Sequence, residues 1–106
     1  MKNNYQHLEE IIISWGQEKK ATIKEIFVIG SMASTNNYNS KKKSDFDLLI
    51  YLDNSADKNE LYKELSIFGL ETSILIHPLF IYESEIEYKQ TLPLYKKAME
   101  KKRKIV

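Results

Sequence analysis

The sequence lacks cysteine altogether, and it has only two prolines and three glycines among 106 residues. Without cysteine the chain has neither a disulfide framework nor a thiolate metal site. The apolar run near the N-terminus, three isoleucines at 11–13, is too short for a signal core or a membrane span. These absences favour a soluble, cytoplasmic protein that is not attached to a membrane.

An excess of either charge is also missing, because 16 basic and 15 acidic residues give a net charge of +1. The overall field therefore indicates no class of partner. Basic residues gather at 41–43 and 96–104, which we interpret as a solvated loop and a solvated helix end. The alternative for 41–43 is that one lysine reaches a phosphate. Aromatic and basic residues do not interleave as they do in single-strand binding surfaces, which argues against a nucleic-acid partner.

The composition, 42% hydrophobic and 29% charged, is typical of a folded protein, and the length predicts a single domain over residues 1–106. Apolar periodicity predicts the element order αββαβαα, which favours an α+β or mixed α/β layer fold. The predicted elements are helix 5–19, strand 24–29, strand 45–52, a helix closed by Gly69, strand 71–77 ended by Pro78, a short helix from Ser84, a helix from Pro93 through Lys102, and residues 105–106 as an edge strand or a frayed end.

Two aspartates open the second predicted strand. Side chains alternate along a strand, so Asp45 and Asp47 point to the same face and are separated by about 6.5 Å of rise. The other face carries apolar residues at 46, 48, 50 and 52, which belong to a core. Two neighbouring carboxylates raise each other's proton affinity unless a cation lies between them. Their hard oxygen ligands suit Mg²⁺ or Mn²⁺.

Gly30 and Ser31 follow the first predicted strand. A strand that breaks at glycine and turns into a helical start presents backbone N–H groups that suit an anion. The missing Cβ of Gly30 lets a phosphate approach the backbone, and the Ser31 hydroxyl offers one more donor. A phosphate site beside two carboxylates is the arrangement that metal-assisted phosphoryl or nucleotidyl transfer requires.

Gly30-Ser31, a polar loop, and then Ser44-Asp45-x-Asp47 resemble the motif of the DNA polymerase β-like nucleotidyltransferases, especially their minimal branch, which includes antitoxins. The resemblance implies an α+β, nucleotidyltransferase-like fold with a small mixed β-sheet and helices packed on one face. It also implies catalytic and metal-binding roles for Asp45 and Asp47, with Mg²⁺ or Mn²⁺ as the cofactor. Gly30, Ser31 and Ser44 would bind the nucleotide.

The family also uses a third carboxylate from a neighbouring strand, and here the sequence departs from the pattern. Glu71 is the best candidate for this catalytic and metal-binding residue, at the start of the predicted strand 71–77. Ser73 and His77 share its face by alternation, and neither replaces a carboxylate.

The resemblance implies a transferase that moves a nucleoside monophosphate, AMP from ATP, to a hydroxyl acceptor. It further implies that the acceptor lies on a small helical partner of the HEPN type, a toxic ribonuclease. One alternative is an inactive or weakly active adaptor that keeps the fold and binds a partner subunit. Another is transfer to a small molecule such as an aminoglycoside.

Overall fold

The computed structural model describes residues 3–40 and 44–106. The predicted fold class is confirmed: a four-stranded mixed sheet is combined with helices in one α+β arrangement. Short 3₁₀ helices follow β1 and β3. The elements are α1 (Asn4–Glu18), β1 (Ile23–Ile29), two 3₁₀ helices (Gly30–Ala33 and Thr35–Asn39), β2 (Phe46–Leu52), α2 (Lys58–Thr72), β3 (Ile76–Tyr82), a 3₁₀ helix (Glu83–Glu85), α3 (Ile86–Lys89), α4 (Pro93–Glu100) and β4 (Lys102–Lys104).

The sheet has the strand order β3-β2-β1-β4. β1 is antiparallel to both β2 and β4, whereas β2 and β3 are parallel. In this register Ile29 at the end of β1 lies opposite Asp47 of β2, and Asp47 lies opposite His77 of β3. The end of the first strand and the starts of the next two therefore meet at one edge of the sheet.

β2 is packed on both faces, and Asp47 is its only residue that is not fully buried. On one face it contacts the two long helices, and on the other it contacts α4. The first face was expected to carry all the helices; it carries α1 and α2, while Tyr95 brings α4 onto the second face. The second face attracts α4 because it exposes a smaller apolar cluster, built around Phe27, Leu49, Tyr51 and Ile81.

The predicted strand 71–77 is wrong, because α2 continues through Thr72 and β3 begins only at Ile76. Gly69 does not close the helix. A Cβ at this position would lie 2.7 Å from the carbonyl oxygen of Ile74, so glycine is required by a close backbone approach. The helix ends instead at Ser73, which adopts the left-handed conformation with φ 58°.

The later start of β3 moves two residues away from their expected places. Pro78 lies inside β3 rather than ending it, which is tolerated because β3 is an edge strand. Glu71 lies in the last turn of α2, where it is exposed. The strand position assigned to Glu71 is therefore wrong, and His77 is the residue of β3 that lies opposite Asp47.

The C-terminal segment also differs from the prediction. α4 ends at Glu100 rather than at 102, and β4 follows and pairs with β1. The backbone N–H groups of Ile105 and Val106 both donate to the carbonyl oxygen of Ile26, so the end of the chain is held along β1. Within residues 3–40 and 44–106, none of the helices combines the length and apolar character needed to cross a membrane.

The left-handed residue at the end of α2 generates a stability prediction. An L-residue other than glycine pays about 1 kcal/mol in this conformation, so Ser73→Gly should raise the free energy of unfolding by about that amount. Ser66→Gly is the matched control, because Ser66 is exposed within the same helix and glycine there should lower the free energy of unfolding by about 0.5 kcal/mol. Denaturant unfolding measures both; a loss of stability in Ser73→Gly would contradict the assigned helix end.

Candidate active site

Asp47 packs directly against Gly30. β1 ends at Ile29, and the chain turns at Gly30 with φ +70° into the 3₁₀ helix Gly30–Ala33. A Cβ on Gly30 would lie 2.9 Å from the Oδ2 atom of Asp47. Glycine is thus required here both by the backbone conformation and by the carboxylate. The turn expected to bind phosphate and the second aspartate of the motif are in contact.

The environment of Asp47 favours a bound proton or cation. Burial raises the pKa of the Asp47 carboxyl above its ordinary value, the imidazole of His77 lowers it, and the charge of Asp45 raises it again. The sequence predicted that the two aspartates raise each other's proton affinity, and the charge of Asp45 does raise the pKa of Asp47, as the smallest of the three causes. Burial is in fact the largest cause, because every other residue of β2 is buried around this one carboxyl.

Asp45 lies just before β2 and forms an ion pair with His77, with 2.9 Å between Oδ2 and Nε2. Both side chains are more than half exposed, so the pair adds little to stability. His77 is the residue that β3 places opposite Asp47. An imidazole thus occupies the neighbouring-strand position at which the sequence predicted a third carboxylate.

Ser44 is held through its backbone by Tyr5 of α1. The Tyr5 hydroxyl donates to the carbonyl oxygen of Ser44 at 2.7 Å and accepts from its N–H group at 3.1 Å. These two bonds fix the residue that precedes Asp45, so α1 sets the direction in which the chain approaches β2. The nucleotide-binding role of Ser44 stays a prediction.

Arg103 of β4 is hydrogen-bonded to the backbone of the 3₁₀ helix Gly30–Ala33. Its Nε atom donates to the carbonyl oxygen of Ala33 at 2.9 Å, and a terminal nitrogen donates to that of Met32 at 3.5 Å. The other terminal nitrogen lies 2.6 Å from Glu9 of α1. Tyr38 donates its hydroxyl hydrogen to Glu9 and accepts one from Arg103. The interpretation of Arg103 as part of a solvated helix end is therefore wrong.

A cavity of about 460 Å³ opens beside Asp47, Gly30 and Ser31. A second one of about 380 Å³ shares Gly30 and Ser31 and extends towards Asn37. The opposite wall of the first cavity comes from α4 and the residue after it. That wall consists of Leu94, Lys97, Ala98, Glu100 and Lys101.

Lys97 and Lys101 were not among the site residues predicted from the sequence. Lys97 and Lys101 lie four positions apart and, in the predicted helix from Pro93 through Lys102, share a face with Leu94 and Ala98, which is the signal that could have identified them. Lysines 41–43, the other candidates for phosphate contact, lie outside the described residues. Glu71 lines neither cavity.

The donor set suits a metal ion that is shared with a nucleotide. Among the residues that the structure describes, no three histidine, aspartate or glutamate side chains converge on a site that could hold an ion alone. Mg²⁺ is ordinarily bound by one or two carboxylates together with substrate phosphates. Asp45 and Asp47, two carboxylates at the entrance to β2, fit that arrangement.

The contact between Gly30 and Asp47 generates the prediction for this site. Gly30→Ala should lower the free energy of unfolding by about 1–2 kcal/mol, because the left-handed backbone is strained and the new Cβ displaces the Asp47 carboxylate. Ala33→Gly, in the same 3₁₀ helix, is the control for general loosening of the turn. Unfolding in urea measures both variants, and a Gly30→Ala protein as stable as the wild type would contradict the contact.

The chain was also compared with known proteins. The family model of the nucleotidyltransferase domain matches residues 8–106. Searches of curated proteins and of solved structures returned no match. The family match covers both halves of the motif, the sheet that brings them together, and α4. With this match over nearly the whole chain, and with the Gly30 turn packed against the Asp47 carboxylate, the chain belongs to the nucleotidyltransferase domain family.

Proposed function

We propose that this chain transfers AMP from ATP to a hydroxyl group, with the help of a divalent metal ion. The observation that carries the proposal is the contact of Gly30 with the Asp47 carboxylate, 2.9 Å from a Cβ position to Oδ2. Because of it, the turn and the Asp47 carboxylate line the same cavity. Membership of the nucleotidyltransferase family supports nucleotidyl transfer as the reaction class.

Asp45 and Asp47 would hold the Mg²⁺ or Mn²⁺ ion. When bound, the ion supplies positive charge to the phosphate oxygens of the nucleotide. The pair offers at most four carboxylate oxygens, so water and phosphate oxygens would have to supply the other ligands. A bound cation would also offset the cost of placing negative charge on the partly buried Asp47, which would couple metal binding to folding.

In the proposed reaction the acceptor oxygen forms a bond to the α-phosphorus, and the bond from that phosphorus to the bridging oxygen of the β-phosphate breaks. Pyrophosphate leaves, and the hydroxyl proton passes to solvent. The chain's contribution is to hold the phosphates in line with the acceptor. Ser31, exposed at the start of the turn, can donate its hydroxyl hydrogen to a phosphate oxygen.

For the acceptor we propose a protein, of the small helical HEPN type that the sequence resemblance implies. A groove of about 480 Å³ runs between α2 and β3, and it is lined largely by apolar residues. Leu70 is 82% exposed and Leu75 is 62% exposed along it. Apolar side chains exposed together are a feature of surfaces that bind other proteins.

The first test uses Asp47→Asn. The folded pKa of Asp47 is raised, so the unfolding free energy falls as the pH rises through that pKa, and the ionised carboxylate destabilises the fold at neutral pH. Without ligand, the variant should therefore melt at a higher temperature than the wild type at pH 7, and the difference should disappear in acid. With Mg²⁺ and ATP, only the wild type should gain stability.

Thermal melts with and without Mg²⁺-ATP provide the measurement. Asp53→Asn is the control, since Asp53 accepts hydrogen bonds from Ser55 and lies away from the cavity residues; it should keep the ligand-induced shift. An equal ATP-induced shift in the wild type and in Asp47→Asn would contradict the proposed metal-nucleotide site.

The second candidate function is an adaptor that binds nucleotide or a partner with little or no transfer. One observation favours it: His77, not a carboxylate, lies opposite Asp47 on the neighbouring strand. If a missing base limits the reaction, His77→Asp should increase transfer by about 100-fold. His7→Asp on α1 introduces the same chemical change away from the site and should have no effect.

Incorporation of radiolabel from the α-phosphate of ATP into a co-expressed HEPN-type protein measures this difference. If the wild type transfers AMP and His77→Asp does not increase the transfer, the result supports an enzyme whose reaction is not limited by a missing base. No transfer by the wild type, together with transfer by His77→Asp, establishes the adaptor. A wild type that labels only small-molecule acceptors overturns the protein-acceptor proposal.

A further inference from the structure

We propose that Lys97 and Lys101 bind the β- and γ-phosphates of the nucleoside triphosphate, so that the C-terminal segment supplies the cationic wall of the phosphate site. This inference rests on the proposed function, and it names residues that neither the motif nor the family match assigns. Both lysines line the cavity that also contains Gly30, Ser31 and Asp47.

α4 is fixed in the orientation that presents these lysines. Tyr95 is only 4% exposed and packs on the second face of the sheet. Its hydroxyl is hydrogen-bonded to that of Tyr51 in β2, and Met99 packs in the same cluster. With Tyr95 directed into the sheet, Lys97 falls on the flank of α4 that borders the cavity, and Lys101 lines the same cavity directly after the helix ends.

The negative charge of the site makes nearby cations necessary for binding a triphosphate. Asp45 and Asp47 bring negative charge to the edge where a triphosphate, itself strongly negative, would bind. The turn contributes backbone groups and one hydroxyl but no cation. Ammonium groups within reach of the phosphates would offset this repulsion by charge-assisted hydrogen bonds.

The neighbouring basic side chains already have other contacts. Lys102 lies over the ring of Phe27, at 4.9 Å from its centroid, Arg103 pairs with Glu9, and Lys104 pairs with Glu25. Among the described residues, by contrast, no carboxylate forms an ion pair with Lys97 or Lys101. Their charges therefore remain available to a ligand in the cavity.

Glu100 allows a test of whether the effect of a substitution on ATP affinity follows the charge that is removed. It lines both cavities together with Lys101 and carries the opposite charge. If phosphates bind here, neutralising Glu100 removes a repulsion, and neutralising either lysine removes an attraction. The two kinds of substitution should then change affinity in opposite directions.

The experiment is titration calorimetry with Mg²⁺ present, at low salt, using ATP, AMP and tripolyphosphate as separate ligands. Lys97→Gln and Lys101→Gln should each weaken ATP binding by about fivefold, and the double variant by about 25-fold. Glu100→Gln should strengthen it. The affinity for AMP, which lacks the β- and γ-phosphates, should fall by less than twofold in the lysine variants. Added salt should reduce the lysine effects.

Lys96→Gln is the matched control, because Lys96 is an exposed lysine of α4 that does not line either cavity; it should bind ATP within about twofold of the wild type. Unchanged ATP affinity in both lysine variants overturns the inference and leaves the proposed function standing. An equal loss for AMP and ATP also overturns it. A wild type that binds neither ATP nor tripolyphosphate overturns both proposals.

Discussion

The contact between Gly30 and the Asp47 carboxylate is the constraint on which the rest of the site depends. It follows from the register of β1 and β2, which places Ile29 opposite Asp47. A side chain at position 30 would displace the Asp47 carboxylate. A shift of the register by one residue would place that carboxylate on the other face of the sheet. The antiparallel pairing of β1 and β2 therefore sets the distance between the Gly30 turn and the Asp47 carboxylate. The long loop between the two strands is not needed to set it.

The helices bury the residues of β2 around Asp47 and leave the Asp47 carboxylate partly accessible. β2 is covered by α1 and α2 on one face and by α4 on the other, which leaves Asp47 as its one partly accessible residue. The C-terminal segment then contributes twice. Arg103 holds the 3₁₀ helix Gly30–Ala33 through its carbonyl groups, and the lysines of the preceding segment line the cavity in front of it.

The sequence alone predicted the parts that depend on short-range pattern. Alternation in β2 separated Asp47 from its apolar neighbours, and the break at Gly30 located the end of β1. The third strand was misplaced because Gly69 has the spacing of a helix-ending glycine, whereas its real role is a close approach to the Ile74 carbonyl. That approach is a tertiary contact, and local sequence does not reveal it.

Two other features of the site also depend on tertiary contacts. Arg103 reaches back to Ala33, which is 70 residues earlier in the chain, so its hydrogen bonds follow from the pairing of β4 with β1. Lys97 of α4 and Lys101 just after it line the cavity because Tyr95 packs on the second face of the sheet. Both depend on a short C-terminal strand that follows a helix predicted two residues too long.

Amide chemical shifts measure the position of the bound nucleotide most directly. A non-hydrolysable ATP analogue with Mg²⁺ should be titrated into ¹⁵N-labelled protein. We expect the largest shift changes on Gly30, Ser31 and Asp47, followed by Lys101. Shift changes confined to the groove between α2 and β3, at Leu70 and Leu75, would contradict this expectation.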